Sequence, residues 1–158
     1  MNTLDTTDWN ILKLLQQNAR MTIKEIAAQL NLSTTPIFDR MKRLEREKVI
    51  DRYVAIVDPK KIGKTLFVFA HISLKEHGTA EVEAFVDQVT PFAEVLECYH
   101  IAGDADFVLK VVVDDVEAYN QFVLKKLSLV KNVGKVTSRF CLSVRKSTTV
   151  LPIEIEEQ

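Results

Sequence analysis

Basic side chains are concentrated in one short stretch, residues 32–48, which reads LSTTPIFDRMKRLEREK. Within it, Arg40 and Arg43 are three residues apart, a spacing that places them on neighbouring turns of a helix. Guanidinium groups bind phosphates and the acceptor edge of guanine. The hydroxyl groups of residues 33–35 come first and can donate to the same acceptors. This combination is typical of a segment that binds nucleic acid.

The same charges also have a purely structural explanation. Glu45 and Glu47 lie among the cations and can pair with them on the solvated face of a helix. The whole chain is slightly acidic, with 21 Lys or Arg, 22 Asp or Glu and a formal net charge of −1. Charge alone therefore favours a solvated basic face, and the case for DNA depends on the elements around it.

Helix start and stop signals surround the basic stretch. Asp5 can cap a first helix, and Thr22 and Glu25 form a capping box that begins a second, short one. Asn31 tolerates the left-handed conformation that ends this second helix, and Ser33 can cap a third. Two capped helices separated by a tight turn predict a helix-turn-helix, whose second helix enters the major groove of DNA.

The residues predicted to contact DNA lie at the two helix starts and along the third helix, whose positive N-terminal end also attracts phosphate. The cations of this helix are expected to lie off its inward apolar stripe. The predicted DNA-contacting residues are Thr22, Ser33, Thr34, Thr35, Asp39, Arg40, Lys42 and Arg43.

The periodicity changes in the second part of the chain. Extended patterns cover residues 66–74, 94–103, 106–115 and 133–146, and helical patterns cover 79–89 and 116–130. The order βαββαβ predicts a ferredoxin-like domain, a four-stranded antiparallel sheet with two helices on one face. Apolar residues on both faces of the first strand predict that another copy of the chain covers the open face.

These patterns predict an α+β protein with two domains. A helix-turn-helix, winged-helix-like domain is assigned to residues 1–50, and an extended linker to residues 51–64, where Pro59 and Gly63 interrupt the periodicity. Residues 65–158 are assigned to the ferredoxin-like domain, with the roles of effector binding and oligomerisation.

Several classes of protein are not expected. The chain has no stretch near the roughly 20 apolar residues of a membrane span, and its first residues do not resemble a signal peptide. Cys98 and Cys141 are too few for a disulfide framework, and His71, His77 and His100 lack metal-ligand spacing. A cytoplasmic protein with no cofactor and no bound metal is therefore expected.

Three stretches match a known family in order and spacing: LDTTDWNILKLLQQNAR, TIKEIAAQLNLSTTPIFDRMKRLEREKVIDRYVAIVDPKKIG and ECYHIAGDADFVLKVVVDD. Through them the chain resembles, over nearly its whole length, the Lrp/AsnC (feast/famine) family of transcriptional regulators. It departs from the family at Lys48, where a glycine is usual before the apolar pair Val49 and Ile50. A residue other than glycine in a left-handed cap costs about 1 kcal/mol.

The resemblance implies how such a protein assembles and responds. It implies a homodimer formed mainly through the C-terminal sheets, often four dimers in an octameric ring, and amino-acid effectors bound between dimers. It also implies that the linker pairs with its copy to hold two DNA-reading helices apart. The partners expected are therefore double-stranded DNA, a small effector and further copies of the chain, but no membrane.

The AGDAD turn, residues 102–106, is the predicted effector site. Gly103 allows a ligand to approach backbone amides, and Asp104 can accept from an ammonium group. The pattern alone favours a plain hairpin turn, whereas the resemblance favours an effector site. Tyr99 and His100 should face opposite sides of their strand, so only one of them is expected to line the pocket. The full predicted set is Tyr99, His100, Ala102, Gly103, Asp104 and Asp106.

An enzyme is the alternative left open. Siroheme decarboxylases resemble this two-domain arrangement and carry catalytic histidine and arginine. The sequence offers Cys98, Tyr99 and His100 in a row, but spacing alone places no histidine beside an arginine. The cationic third helix would also have no role in such an enzyme. The sequence therefore predicts no catalytic residue, and favours a DNA-binding transcriptional regulator whose assembly and DNA affinity respond to a small effector.

Overall fold

The structure is a computed structural model that describes residues 4–154. The described residues divide into two compact units, one formed by 4–56 together with 146–154, the other by Val57–Arg145. Across residues 4–154, no helix is both long enough and apolar enough to cross a membrane.

The last described residues belong to the first unit, whereas the sequence assigned them to the second domain. The side chain of Gln16 holds this segment in place by pairing with the backbone of Leu151. The Leu151 amide donates to Gln16 Oε1 at 2.6 Å, and Gln16 Nε2 donates to the Leu151 carbonyl at 3.2 Å. A pairing across 135 residues leaves no local signal in the sequence.

The first unit contains three helices, and they begin where the capping residues predict. Asp5 with Asp8, and Thr22 with Glu25, form the capping boxes of the first two. Asn31 ends the second helix in the left-handed conformation, at φ 53° and ψ 41°, as predicted. The helices are α1 (Thr6–Gln17), α2 (Ile23–Leu30) and α3 (Thr34–Arg46).

Apolar stripes on the three helices meet in one small core. Its fully or nearly fully buried members are Ile11, Leu15, Ile26, Ala27, Ile37 and Leu44. After α3, Lys48 adopts φ +58°, which confirms that a residue other than glycine occupies a left-handed cap here. The turn is closed by the Val49 amide, which donates to the Leu44 carbonyl at 2.9 Å.

The segment after α3 exposes apolar side chains. Tyr53, Val54, Ile56 and Val57 are all exposed, and in the described part of the chain residues 51–58 form no strand. The remainder of the predicted linker is not fully extended, because a 3₁₀ helix forms at Pro59–Ile62 with Asp58 as its cap.

The second unit has the predicted βαββαβ order. Its four strands form one antiparallel sheet in the order β2-β3-β1-β4. The structure ends β2, β3 and β4 earlier than predicted, and the last part of the second helical pattern is a 3₁₀ turn at Leu127–Leu129. The elements are β1 (Leu66–Leu74), α4 (Thr79–Val89), β2 (Val95–His100), β3 (Phe107–Val113), α5 (Val116–Lys125) and β4 (Val133–Phe140).

The two faces of the sheet have different surroundings. On the inner face, Val68, Ala70 and Ile72 of β1 are fully buried in the core with Phe85 and Phe122 of the helices. The alternate residues of β1 point the other way and stay partly or fully exposed. The outer face of the sheet carries Phe67, Phe69, His71, Glu97, Tyr99, Lys110 and Arg139.

Candidate DNA-binding and effector sites

Two of the cations on α3 are bound by carboxylates of α1. Arg40 Nη1 lies 2.6 Å from Asp5 Oδ2 and 2.8 Å from Asp8 Oδ1, and Arg43 Nη2 forms an ion pair with Asp8 Oδ2. Their side chains are 28% and 26% exposed, and Asp8 is fully buried. Although they lie off the apolar stripe, Arg40 and Arg43 are therefore not the freely exposed cations that the sequence suggested.

This network fixes α3 against α1. Asp8 accepts from both guanidinium groups and also from the Asp5 amide at 3.1 Å, so one buried carboxylate both caps α1 and anchors α3. Removing one partner of a buried ion pair costs about 3–5 kcal/mol, because the remaining charge is left uncompensated. Burial alone would raise the pKa of Asp5, but the Asp8 amide and the Arg40 guanidinium outweigh it and lower that pKa.

The face of α3 opposite to the buried Ile37 and Leu44 is exposed to solvent. Thr34, Thr35, Asp39 and Lys42 lie on it, all of them predicted DNA contacts. The Lys42 side chain is 61% exposed and lies 3.2 Å from Glu45 Oε2.

Phe38 is not among the predicted DNA contacts, yet it is 45% exposed on this same face. Lys42 Nζ lies 5.9 Å from the centre of its ring. The signal was available in the sequence, since Thr35, Phe38 and Lys42 follow a helical spacing of three and four.

The hydroxyl groups at the helix starts are in different situations. The hydroxyl of Thr22 belongs to the α2 capping box, where it donates to Glu25 Oε2 at 2.8 Å. The amide and hydroxyl of Thr22 together lower the pKa of Glu25. Ser33 occupies the N-cap position of α3, yet its side chain makes no capping hydrogen bond to the described residues. The hydroxyls of Ser33, Thr34 and Thr35 therefore lie together at the exposed start of α3.

The predicted effector turn is open to solvent. Ala102, Gly103 and Asp104 are exposed, and Gly103 has φ +140°, a conformation that residues with a side chain rarely adopt. Apart from residues 102–104 themselves, no heavy atom of the described residues lies within 4 Å of the place where a Cβ on Gly103 would stand. Asp104 is 83% exposed, and its Oδ2 lies 3.8 Å from Arg139 Nη2. A carboxylate, a guanidinium and an accessible backbone therefore lie side by side.

Asp106 has a different role from Asp104. Its Oδ2 accepts from the Leu74 amide at 2.7 Å and lies 3.2 Å from His77 Nε2, and its side chain is only 23% exposed. Asp106, although in the predicted effector set, therefore does not share the open side of the turn with Asp104, because its carboxylate holds the end of β1.

Tyr99 and His100 do face opposite sides, as predicted. The Tyr99 hydroxyl donates to Glu97 at 2.8 Å on the outer face. The His100 ring stacks on Phe107 with ring centres 4.7 Å apart, and Phe107 belongs to the core on the inner face. Of the two, Tyr99 shares the outer sheet face with Arg139.

The fold also creates a histidine–arginine pair that spacing does not reveal. Arg139 Nη1 lies 2.8 Å from His71 Nε2 on the outer face. Arg139 is two residues along β4 from Thr137, the register partner of His71. Because a guanidinium group only donates, the imidazole nitrogen is the acceptor in this pair. Within residues 4–154, no group of histidine, cysteine or carboxylate side chains has a geometry that could hold a metal ion.

Sequence comparison identifies both units. Residues 4–51 match the profile described as winged helix-turn-helix DNA-binding, and residues 67–151 match the Lrp/AsnC ligand binding domain. The DNA-binding transcriptional activator DecR of Escherichia coli is 38% identical, and the alignment covers 96% of this chain and 99% of that protein.

Two solved structures share the fold over nearly the whole chain. An AsnC family transcriptional regulator from Agrobacterium tumefaciens has a TM-score of 0.90 and 35% identity, covering 94% of this chain and 97% of that one. The transcriptional regulator NMB0573 from Neisseria meningitidis, solved in complex with L-Met, has a TM-score of 0.90 and 34% identity, covering 95% and 97%.

Proposed function

Because this chain belongs to the Lrp/AsnC family of DNA-binding transcriptional regulators, we propose that it controls transcription in response to an amino acid bound beside Gly103 and Asp104. The observation that carries the proposal is the open turn, where Asp104 lies 3.8 Å from Arg139 of β4 and the backbone is exposed. The Neisseria relative with L-Met bound supports an amino acid as the class of ligand.

The chemistry of the turn suits a free amino acid. The ammonium group would bind the Asp104 carboxylate, and the carboxylate group would bind Arg139 and the exposed amides near Gly103. At 3.8 Å the Asp104–Arg139 pair is long and solvent-exposed, so its intrinsic strength is low and a zwitterion can replace it. We propose that Tyr99 faces the ligand side of the sheet, whereas His100 and Asp106 support the turn from within.

We propose that effector binding acts through assembly. The exposed apolar residues of the outer sheet face and of residues 53–57 would be covered by a second copy, and the dimers would form an octamer. A turn that is open in one chain becomes an enclosed site only when a second copy completes it. An amino acid then shifts the equilibrium because it binds one assembly better than another, and a tenfold preference corresponds to about 1.4 kcal/mol.

On DNA, we propose a division of roles within the predicted set. Ser33, Thr34, Thr35, Asp39 and Lys42 would contact DNA directly, because they lie on the exposed face and start of α3. Thr22 would support that surface by fixing the start of α2. Arg40 and Arg43 would hold α3 against α1, and so act as positioning residues.

We propose that the protein is a regulator and not an enzyme, and that it acts in the cytoplasm, the compartment that holds its DNA. Within residues 4–154, the His71–Arg139 pair is the feature on which a siroheme decarboxylase-like activity could rest. Mixing the protein with siroheme and analysing the tetrapyrrole by mass spectrometry tests this directly: an unchanged mass fits the regulator, and a product that has lost CO2 would contradict it.

Calorimetric titration with each of the twenty amino acids, accompanied by size-exclusion chromatography, tests the effector proposal. At least one amino acid should bind the wild type and shift its elution, and Asp104→Ala should abolish both effects. Asp87→Ala removes another exposed carboxylate of the same unit and should bind like the wild type. If no amino acid binds, or if Asp104→Ala binds equally well, the site is not at this turn.

A further inference from the structure

The solvent face of α3 carries one large apolar side chain among polar ones. Phe38 is 45% exposed, whereas Ile37 and Leu44 on the other face of the helix are fully buried. Thr35 precedes Phe38 by three residues and Lys42 follows by four, so the three share one line along the helix. An apolar ring exposed on the proposed DNA-facing side of α3 is expected to pack against an apolar group of a partner.

A shallow groove between the starts of α2 and α3 has Phe38 as one wall. Ile23, Lys24, Thr34 and Thr35 line the rest of it. Lys24 is exposed beside this groove, and Lys42 Nζ lies 5.9 Å from the Phe38 ring centre. An apolar ring flanked by two cations and two hydroxyls is complementary to a polyanion that also presents apolar groups.

Double-stranded DNA has one such apolar group in its major groove, the C5 methyl of thymine. We propose that Phe38 reads a thymine by packing its ring against that methyl group. The inference rests on the proposed placement of α3 in the major groove. A phenyl ring offers no hydrogen bond, so a guanine or cytosine edge at the same position would lose water without gaining a partner.

The Phe38 ring would therefore favour thymine, because it packs against the methyl group, and disfavour guanine and cytosine, because it offers their polar edges no hydrogen bond. Thr35 and Lys42, one turn away on either side, would fix its position by contacts to the backbone of the DNA. Phe38 then determines the base at one position of each half-site, whereas Lys42 contributes affinity that does not depend on sequence.

The experiment begins with selection of binding sites by the full-length protein from duplexes with a randomised central segment. One thymine of the selected half-site is then replaced at a time by uracil, which lacks only the methyl group. Wild-type protein should lose about fourfold in affinity at one position, the factor that corresponds to burial of one methyl group. Phe38→Ala should bind the thymine and uracil duplexes equally and should lose the preference for thymine there.

Matched variants separate the possible outcomes. Phe38→Leu keeps an apolar contact and should retain part of the discrimination, and Leu129→Ala removes an exposed apolar side chain of the other unit and should leave it unchanged. If the wild type selects a site but Phe38→Ala keeps the full thymine preference, the inference about Phe38 is wrong and the regulator proposal stands. If Phe38→Ala alters only the oligomeric state, Phe38 packs against protein instead. If the wild type binds no duplex, both proposals fail.

Discussion

Aspartate pairs with arginine in both units, and the surroundings of two of these pairings differ. In the first unit, Asp8 is fully buried and holds both Arg40 and Arg43. In the second unit, Asp104 is 83% exposed and lies 3.8 Å from Arg139. The same two residue types thus form an internal brace in one unit and an open, weakly paired site in the other.

The difference shows that residue type does not reveal role, because burial and the number of partners decide it. Breaking a buried carboxylate away from two guanidinium partners strongly destabilises the fold, so these groups stay paired with one another. An exposed pair contributes at most about 1 kcal/mol, so its members remain available to a ligand. Arginines on α3 therefore brace the fold, while the aspartate of the open turn stays accessible.

The largest expected effect is on stability, and it comes from breaking the brace. Asp8→Asn should lower the free energy of unfolding by about 3 kcal/mol or more, because Arg40 and Arg43 lose their shared anion. Urea denaturation measures this. Asp39→Asn, an exposed aspartate of the same unit, and Asp104→Asn should each change stability by less than about 0.5 kcal/mol. If all three variants lowered the free energy of unfolding equally, the buried aspartate would be no more important for stability than the exposed ones.

The second prediction separates bracing from DNA contact within α3. Lys42→Ala should reduce the slope of log binding constant against log salt by about one and leave stability nearly unchanged. Arg43→Ala should lower the unfolding free energy while the slope stays close to that of the wild type, because its charge is already paired with Asp8. A reduced slope without lost stability in Arg43→Ala would show that this arginine contacts phosphate.

The third prediction concerns Lys48→Gly, which should change the stability of the first unit through backbone conformation and not through an ion pair. Lys48 has φ +58°, so glycine should relieve the strain and raise the free energy of unfolding by about 0.5–1 kcal/mol. Combined with Asp8→Asn, the two changes should add, since neither shares a partner with the other. A destabilised Lys48→Gly variant would mean that the lysine side chain makes a contact of its own.

The smallest expected effect is on the dependence of stability on pH in acid. The pKa of Asp5 is lowered because hydrogen bonds from the Asp8 amide and Arg40 outweigh the effect of its burial. A lowered folded-state pKa gives stability that is present above the unfolded value of about 3.9 and is lost as the pH falls through the folded value. Asp5→Asn should therefore flatten the decline of stability below about pH 4. An unchanged acid profile would show that the Asp5–Arg40 pair adds nothing.

Local signals were sufficient to predict the order of the helices and strands in both units. Capping residues such as Asp5, Thr22 and Asn31 act within one helical turn, and alternating apolar residues fix which face of β1 is buried, so both can be read from the sequence. The partners of the candidate site could not be read in the same way. Asp8 lies 35 residues from Arg43, and His71 lies 68 residues from Arg139. Helix packing and strand register bring those groups together.

Phe38 shows a different limit. Its exposure follows from its position in the helix relative to the buried Ile37, but a search based on charged residues alone does not find it. The proposed contact with a thymine methyl group would give this apolar residue a role that hydrogen-bonding groups cannot fill.

The most direct test of the effector proposal is the affinity of the full-length protein for its selected DNA site. It is measured with and without the amino acid that the protein binds. The wild type should change its affinity by tenfold or more, which is about 1.4 kcal/mol. Asp104→Ala should bind DNA as the unliganded wild type does and should not respond, because the DNA-reading helix is in the other unit. A response of Asp104→Ala equal to that of the wild type would contradict the assignment of the open turn as the effector site.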